Sequence, residues 1–128
     1  CRGKQMALTS IGKLNQLEDL DAWGQITDLG GEVLDGSPNV KVFGKMSLGA
    51  PTDAISSGYF GTEKGKYRLV YPFSEQAVII FGEVAITDES TGVTTTFKAG
   101  DFWVVEKGTS TVWEVKSDFF IKHYFAVV

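Results

Sequence analysis

The sequence predicts an all-β domain, a small barrel of antiparallel strands joined by tight turns. Between Tyr67 and Trp113, short apolar runs are broken at regular intervals by glycine and acidic residues, which is the rhythm of short strands and hairpins. Fifteen glycines against three prolines indicate a chain with many turns. Apolar residues make up 43% of the 128 residues, so the chain is long and apolar enough for one domain with one core.

The first 30 residues are the least regular part of the chain. Leu14, Leu17 and Leu20 are spaced by three with acidic residues between them, a pattern that allows one or two helical turns or a packed arm. A glycine pair at 30–31 ends the segment. We therefore divide the chain into an N-terminal arm over residues 1–30, irregular or helical, and a single barrel domain over residues 31–128. We expect the arm to be a structural strap or a dimer contact.

Turn-forming residues mark the borders of the predicted strands. Glycine, proline, asparagine, aspartate and serine favour turns, each for its own reason of backbone geometry or hydrogen bonding. Their clusters predict loops or turns at residues 35–38, 49–57, 89–92, 98–101, 106–108 and 116–118. Pro72 cannot donate to a strand ladder, so we expect it at a strand end, an edge or a bulge.

Strands fill the intervals between these turns. They are predicted at residues 39–46, 57–61, 65–71, 77–81, 84–88, 93–97, 102–105, 111–115 and 119–128. Alternation places Leu69 and Tyr71 on one face of their strand. The run at 77–81 is apolar throughout, as in a strand buried on both faces. The last strand is also apolar on both faces, as a sandwich interior or a subunit contact requires.

Composition excludes several classes of partner. The formal net charge is −4, and lysine and arginine are scattered, which argues against nucleic acid because phosphate binding needs clustered positive charge. No apolar stretch approaches the roughly 20 residues of a membrane span. The single cysteine, Cys1, cannot form an intramolecular disulfide, so we expect a cytoplasmic protein. A lipid-modified bacterial N-terminus and a cloning boundary are the alternative explanations of Cys1.

Two glycine-containing stretches carry a resemblance to a known family. Glu75, followed seven positions later by Gly82, resembles the first cupin motif, and Gly100-Asp101, followed by Gly108, resembles the second. More closely, the chain from about Val33 onward resembles small single-domain cupins related to the ureidoglycine aminohydrolase cupin domain. The matching residues are Tyr71, Glu75, Gly82, Glu83, Val84, Thr87, Asp88, Gly100, Asp101, Phe102, Gly108, Trp113, Glu114, Val115 and Lys122.

This resemblance implies a double-stranded β-helix, that is, a jelly-roll barrel with a central cavity. It also implies a homodimer, since cupins of this kind commonly pair. The family includes metal-dependent enzymes as well as many small members without an assigned reaction. The resemblance therefore predicts the fold more sharply than the function.

The residues at the family's metal-ligand positions depart from its pattern. The two histidine positions of the first motif fall on Leu69 and Tyr71, and the histidine of the second falls on Thr111, so only Glu75 is retained. Divalent transition metals need nitrogen and oxygen ligands at fixed short distances, and leucine cannot ligate. We predict no three-histidine metal centre and no cofactor. A non-standard set of Glu75 and His123 with hydroxyls or water stays open.

Glu75 is the candidate acid or base, because a carboxyl group in apolar surroundings can have its pKa raised into the useful range. Its alternative role is a rim carboxylate that is hydrogen-bonded to a neighbour. The predicted pocket around it is formed by Leu69, Tyr71, Thr111 and Trp113. The two aromatic residues could stack against a flat ligand, or they could fill the barrel interior.

Two further residues are secondary candidates. Lys122 could pair with a buried acid such as Glu75 or Glu114, orient an anionic ligand, or form an ion pair at the barrel rim. His123 is the only histidine, and a lone histidine in an aromatic strand is more often a core or interface residue than a ligand.

Three functions follow from these residues. The first is a barrel that binds a small polar molecule in its central pocket, with Glu75 available for acid–base chemistry and no histidine metal centre. The second is a non-catalytic binding or assembly domain. The third is a metal-dependent enzyme with the non-standard ligand set, which requires His123 to reach the cavity.

Overall fold

The computed structural model describes residues 8–11 and 14–128, so Cys1 lies outside the described residues. Strands dominate this part of the chain and the only helices in it are two short 3-10 turns, Leu17–Asp19 and Ile26–Leu29. Neither of these described helices is long and apolar enough to cross a membrane. The strands are β1 Asp21–Gln25, β2 Glu32–Val33, β3 Lys41–Leu48, β4 Ile55–Val70, β5 Ser74–Phe81, β6 Glu83–Asp88, β7 Val93–Lys98, β8 Phe102–Val105 and β9 Ser110–Val127.

Strands β4 and β9 are the axis of the fold. They pair antiparallel along almost their whole length, from Ile55 opposite Val127 to Val70 opposite Ser110. At one end they are the centre of a six-stranded sheet in the order β1-β3-β4-β9-β5-β8. At the other end the same two strands continue into a second sheet, in which β2 pairs with β4, β9 pairs with β6, and β6 pairs with β7. This arrangement confirms the predicted all-β jelly-roll barrel.

An irregularity in both long strands lets them pass from one sheet to the other. The pairing shifts between Glu63 and Gly65, which lie opposite Phe119 and Val115, so residues 116–118 form a bulge rather than a turn. The prediction of a turn at 116–118 is therefore wrong, as is the break between the strands predicted at 57–61 and 65–71. Polar and glycine residues produce the same sequence signal at a bulge as at a turn.

The core lies between the two sheets and is rich in aromatic residues. Its fully buried members are Ile26, Val40, Val42, Tyr67, Ile79, Val84, Trp113, Val115 and Phe120, with Tyr71 almost as buried. Within it, the rings of Tyr67 and Trp113 are stacked with centroids 6.3 Å apart. Burial of these large side chains is the main favourable contribution to folding.

The described part of the N-terminal arm packs on one region of the outer face of the six-stranded sheet. Leu14, Leu17 and Leu20 pack there in a second apolar cluster with Tyr59 and Ile121. The arm also adds β1 to the edge of the sheet through its pairing with β3, an element that the sequence pattern did not indicate. Ile26, directly after β1, is fully buried in the main core, so the arm contributes to both apolar clusters.

Candidate functional site

A cavity of about 230 Å³ lies inside the barrel, and we call it the Glu75 cavity. Its walls are mostly apolar and comprise Trp23, Ile26, Leu29, Pro51, Phe60, Leu69, Val70, Pro72 and Phe73. Its polar lining residues are Ser56, Tyr71, Glu75, Lys122 and Tyr124. A mostly apolar cavity with a few convergent polar groups is the usual form of a small-molecule site.

Three of the polar residues form one hydrogen-bonded cluster, which we call the Lys122–Glu75–Tyr71 cluster. The Lys122 ammonium donates to both carboxylate oxygens of Glu75, at 2.8 Å to Oε2 and 3.0 Å to Oε1. The Tyr71 hydroxyl donates to Glu75 Oε2 at 2.9 Å and lies 3.3 Å from Lys122 Nζ. Lys122 is only 4% exposed and Glu75 only 3%, so this is a buried ion pair and not the rim pair considered from the sequence.

Strand register brings these three residues together. In the pairing of β5 with β9, Lys122 lies opposite Ile79 and Glu75 lies opposite Ala126. Ile79 and Ala126 are buried, so Glu75 and Lys122 share the inward face of the sheet. Tyr71 follows directly after β4, and its backbone is held by Thr109 and Gly108 at 3.0 and 2.8 Å. The predicted turn at 106–108 therefore positions the tyrosine.

Aromatic rings surround the Lys122 ammonium. Its Nζ lies 5.0 Å from the ring centroids of Phe60 and Trp113, 5.6 Å from Tyr71, 5.7 Å from Trp103 and 5.9 Å from Tyr124. Ring faces attract a cation electrostatically, more strongly where water is excluded. Phe60, Trp103 and Tyr124 were not predicted, although Tyr124 follows Lys122 by two residues and therefore shares its face.

Burial shifts the pKa values of Lys122 and Tyr71, the two ionisable partners of Glu75, in opposite directions. Loss of hydration lowers the pKa of Lys122, and the nearby Glu75 carboxylate only partly offsets this effect. Burial raises the pKa of Tyr71 well above its ordinary value, and the charge of Glu75 adds to the increase. Tyr71 is thus a neutral phenol that donates its proton to the carboxylate at physiological pH.

A second cavity of about 290 Å³ lies on the other side of Tyr71, between the β6–β7 hairpin and β8. Its lining includes Thr111 and Trp103. The Thr111 hydroxyl donates to the Leu69 carbonyl at 2.8 Å and accepts from the Trp113 indole N–H at 3.1 Å. Thr111 therefore links two strands through its hydroxyl.

The predicted pocket residues are accordingly divided among three places. Leu69, Tyr71 and Glu75 line the Glu75 cavity together with Lys122, while Thr111 lines the second cavity. Trp113 is 1% exposed and packs between Tyr67 and Lys122 inside the core.

His123 lies on the opposite face of β9 from Lys122. Its ring contacts the edge of Tyr59, with centroids 4.9 Å apart, and its Nε2 lies 3.1 Å from the Ser47 hydroxyl. The ring is half-buried on the outer side of the six-stranded sheet. The hypothesis of a metal site built from Glu75 and His123 required the His123 ring to reach the cavity. The ring lies on the opposite side of the sheet, so this hypothesis is wrong.

The residues at the cupin metal positions do not fit a divalent cation. Leu69 has no donor atom, the Thr111 hydroxyl is engaged by Leu69 and Trp113, and both Glu75 oxygens accept from the Lys122 ammonium. A metal ion at Glu75 would be placed beside that positive charge. Over residues 8–11 and 14–128, no group of three or more histidine, cysteine, aspartate or glutamate side chains is arranged to hold a metal ion.

Two facing antiparallel sheets that share their long strands, with polar residues converging in the interior, define a small barrel protein of the cupin class. The chain belongs to the EutQ-like cupin domain family, whose model matches residues 49–124. A comparison with curated proteins found none similar to this chain.

Solved structures share this fold at low sequence identity. The Clostridium difficile EutQ protein superposes with a TM-score of 0.59 at 18% identity, over 75% of either chain. A putative ethanolamine utilization protein Q from Salmonella typhimurium gives 0.55 at 19% identity, over 69% of this chain and 68% of that one. A Pseudomonas syringae protein of unknown function gives 0.70 at 16% identity, over 84% of this chain. This chain spans only 44% of the Pseudomonas protein.

Proposed function

We propose that the protein binds a small uncharged molecule in the Glu75 cavity, with a carbonyl, amide or hydroxyl group of the ligand against the Lys122–Glu75–Tyr71 cluster. The observation that carries this proposal is the closed ion pair that faces the cavity: both oxygens of Glu75 accept from Lys122. The positive and negative charges of the cluster therefore neutralise each other before any ligand arrives.

A charged ligand is disfavoured in such a cavity. Its charge would lose hydration and would find no uncompensated partner. An uncharged group that both donates and accepts can instead exchange hydrogen bonds with the carboxylate of Glu75, the ammonium of Lys122 and the hydroxyl of Tyr71. The apolar walls suit an aliphatic or aromatic remainder of the ligand.

The volume restricts the ligand further. About 230 Å³ is below the roughly 300–1,000 Å³ of pockets for drug-sized molecules. In this proposal Glu75 is the group placed to accept an N–H or O–H of the ligand, or to take its proton.

Three probes with the same carbon chain test this proposal by thermal shift and calorimetry: butyramide, butyrate and butylammonium. We expect butyramide to raise the melting temperature and to give measurable heat of binding, with much smaller effects from the two ions. Ethanolamine, which the name of the Salmonella protein brings to attention, is a cation near neutral pH and belongs with butylammonium. Tighter binding of either ion than of the amide would overturn the proposal.

Two matched variants locate the binding. Leu29 lines the Glu75 cavity and Leu48 does not, while both side chains are about half exposed. Leu29→Trp should narrow the cavity mouth and abolish the butyramide effect, whereas Leu48→Trp should leave it unchanged. An amide effect that survives Leu29→Trp would place the binding elsewhere.

We further propose that a second copy of the chain covers the outer face of the six-stranded sheet. The exposed apolar residues of this face, which we call the outer patch, are Ile55, Phe102, Val104, Phe125 and Val127. Pairing of Gln76 with both Val104 and Phe125, and of Ile55 with Val127, makes most of the patch continuous. The arm leucines already pack on their own chain, which favours the outer patch over the arm as the contact.

A further inference from the structure

We propose that Lys122 is a carbonyl-reactive amine, and that the Glu75 cavity captures small aldehydes as an imine on Lys122 Nζ. This inference rests on the proposed function, since it uses the same cavity for an uncharged carbonyl compound. It adds a covalent step to that binding. It also gives Lys122 a role that an ion pair serving only stability would not have.

Lys122 is the one described lysine whose side chain is buried and lines a described cavity. Its Nζ is held by Glu75 and Tyr71 at one side and by ring faces at the others. A buried lysine in an apolar pocket is the typical setting of a Schiff-base amine, because loss of hydration favours the neutral, nucleophilic form.

The proton that must leave the ammonium has an acceptor inside the site. Glu75 Oε2 lies 2.8 Å from Lys122 Nζ, so one transfer along this hydrogen bond converts the ion pair to a neutral amine and a carboxylic acid. The net charge of the cavity does not change in this step. No exchange with solvent is needed, and the cost of separating charges in an apolar interior is avoided.

The reaction then balances within the cluster. The Nζ lone pair forms a bond to the aldehyde carbon as the C=O π bond breaks and its electron pair moves to the oxygen. This oxygen takes the proton of the Glu75 carboxylic acid, and the attacking nitrogen returns one proton to the carboxylate. The product is a neutral carbinolamine. In the second step the C–O bond breaks, the oxygen leaves as water with the proton of Glu75, and the nitrogen lone pair forms the C=N bond.

The product keeps the electrostatics of the starting site. A protonated imine on Lys122 faces a Glu75 carboxylate, as the ammonium does now, and the rings of Phe60 and Trp113 lie against the same positive charge. One water molecule is the only other product. Tyr71, which donates to Glu75 Oε2 at 2.9 Å, holds the carboxylate in place during both steps and acts as a positioning residue.

Reductive trapping tests this inference. The full chain is incubated at neutral pH with butyraldehyde and sodium cyanoborohydride, which reduces imines to stable secondary amines, and the alkylated lysines are quantified over time by peptide mass spectrometry. The exposed lysines Lys64 and Lys98 are internal references in the same sample. We expect Lys122 to be alkylated at least about tenfold faster than either.

Variants and a competitor separate reactivity from binding. Lys122→Arg keeps a cation for Glu75 but has no reactive amine, so alkylation at this position should vanish while the references are unaffected. Glu75→Gln removes the acid that protonates the carbonyl oxygen and the leaving water, and should slow alkylation of Lys122 relative to Lys64; faster alkylation would contradict this role of Glu75. Butyramide should protect Lys122 and leave Lys64 unprotected. The unfolding transition of each variant is measured to confirm that it is folded.

The possible results distinguish the reactive-lysine inference from the proposed amide binding. Selective alkylation of Lys122 with protection by butyramide supports both the inference and the proposed function. Butyramide binding with Lys122 no more reactive than Lys64 overturns the inference and leaves the proposed function intact. Selective alkylation without any butyramide binding supports the reactive amine and overturns the amide-binding proposal. The absence of both effects overturns both.

Discussion

Lys122 and Glu75 are joined by a two-oxygen contact in the interior of the barrel, with Nζ 2.8 Å from Oε2 and 3.0 Å from Oε1. Removing two charges from water costs free energy that their attraction only partly returns. The pair is therefore weak evidence of a stabilising device, and it lies on the Glu75 cavity, where we propose that it contacts the ligand. Removal of one charged partner should lower the free energy of unfolding by a measurable amount.

Lys122→Met should reduce the free energy of unfolding by about 3–5 kcal/mol at pH 7, because the variant leaves the Glu75 carboxylate buried without its counter-charge. Urea unfolding of the variant and of the wild-type protein at pH 7 measures the loss.

Two controls accompany the unfolding measurement on Lys122→Met. The double variant Glu75→Gln/Lys122→Met should cost less than the sum of the single variants, since no unpaired charge remains. Lys66→Met removes a solvent-exposed pair, that of Lys66 with Asp35 at 2.6 Å, and should leave stability unchanged within error. Equal losses for Lys122→Met and Lys66→Met would contradict the burial argument.

Gly82→Ala should destabilise the protein far more than Gly92→Ala. Both glycines have positive φ, +97° and +74°, so both alanines carry the left-handed cost of about 1–2 kcal/mol. A Cβ on Gly82 would lie 2.5 Å from the Phe119 carbonyl oxygen, whereas Gly92 has open space. The contact should add about 1–3 kcal/mol, measured as the difference between the two variants in chemical unfolding. A difference near zero would show that β9 moves aside freely.

His123 should make stability depend on pH near neutrality. Partial burial lowers its pKa below the ordinary 6.5, so the unfolded chain binds the proton more readily than the folded protein. The free energy of unfolding should then fall as pH drops through about 6.5, and this contribution should level off below the folded-state pKa. His123→Gln, which retains a polar group for Ser47, should lack this part of the profile. If the free energy of unfolding depends on pH in the same way in the wild-type protein and in His123→Gln, this role of His123 is contradicted.

Self-association should depend on the outer patch. Phe102 and Val104 are 66% and 73% exposed on β8, and the double variant Phe102→Lys/Val104→Lys should run as a monomer in size-exclusion chromatography with light scattering. Val93→Lys changes an apolar residue on β7 that is 60% exposed and lies away from the patch, and it should leave the dimer intact. A monomeric wild-type protein at high concentration would refute the proposed pairing.

Much of the fold follows from local patterns. The uninterrupted apolar run before Gly82 predicted a buried strand, and most of β5 lies there; the residues 98–101 predicted a turn, and Asp101 accepts from the Lys98 backbone N–H in that turn at 2.8 Å. These features depend on neighbours in the chain, which the sequence displays. The contact between Glu75 and Tyr71 could also be predicted from the sequence, because the two residues lie four positions apart around a predicted strand end.

What the sequence could not supply depends on register between distant strands. Phe60 contacts Lys122 because β4 and β9 pair across 62 residues with these two opposite each other, and no local pattern encodes that alignment. The same applies to Trp113, whose alternating position suggested a pocket wall but whose ring is stacked on Tyr67. Alternation assigns a side chain to a face, while register decides whether that face is core or cavity.

The shared long strands have a consequence for how the chain reaches and leaves its native state. Because β4 and β9 belong to both sheets, neither sheet can form completely until the last strand of the chain is available. Pairings over such sequence separations are slow, typically milliseconds to seconds for all-β domains. They also make the two sheets one cooperative unit, in which loosening either end of the β4–β9 ladder weakens the other. The cluster around Lys122 therefore reports on the integrity of the entire barrel, and its amide protons should exchange only through global unfolding.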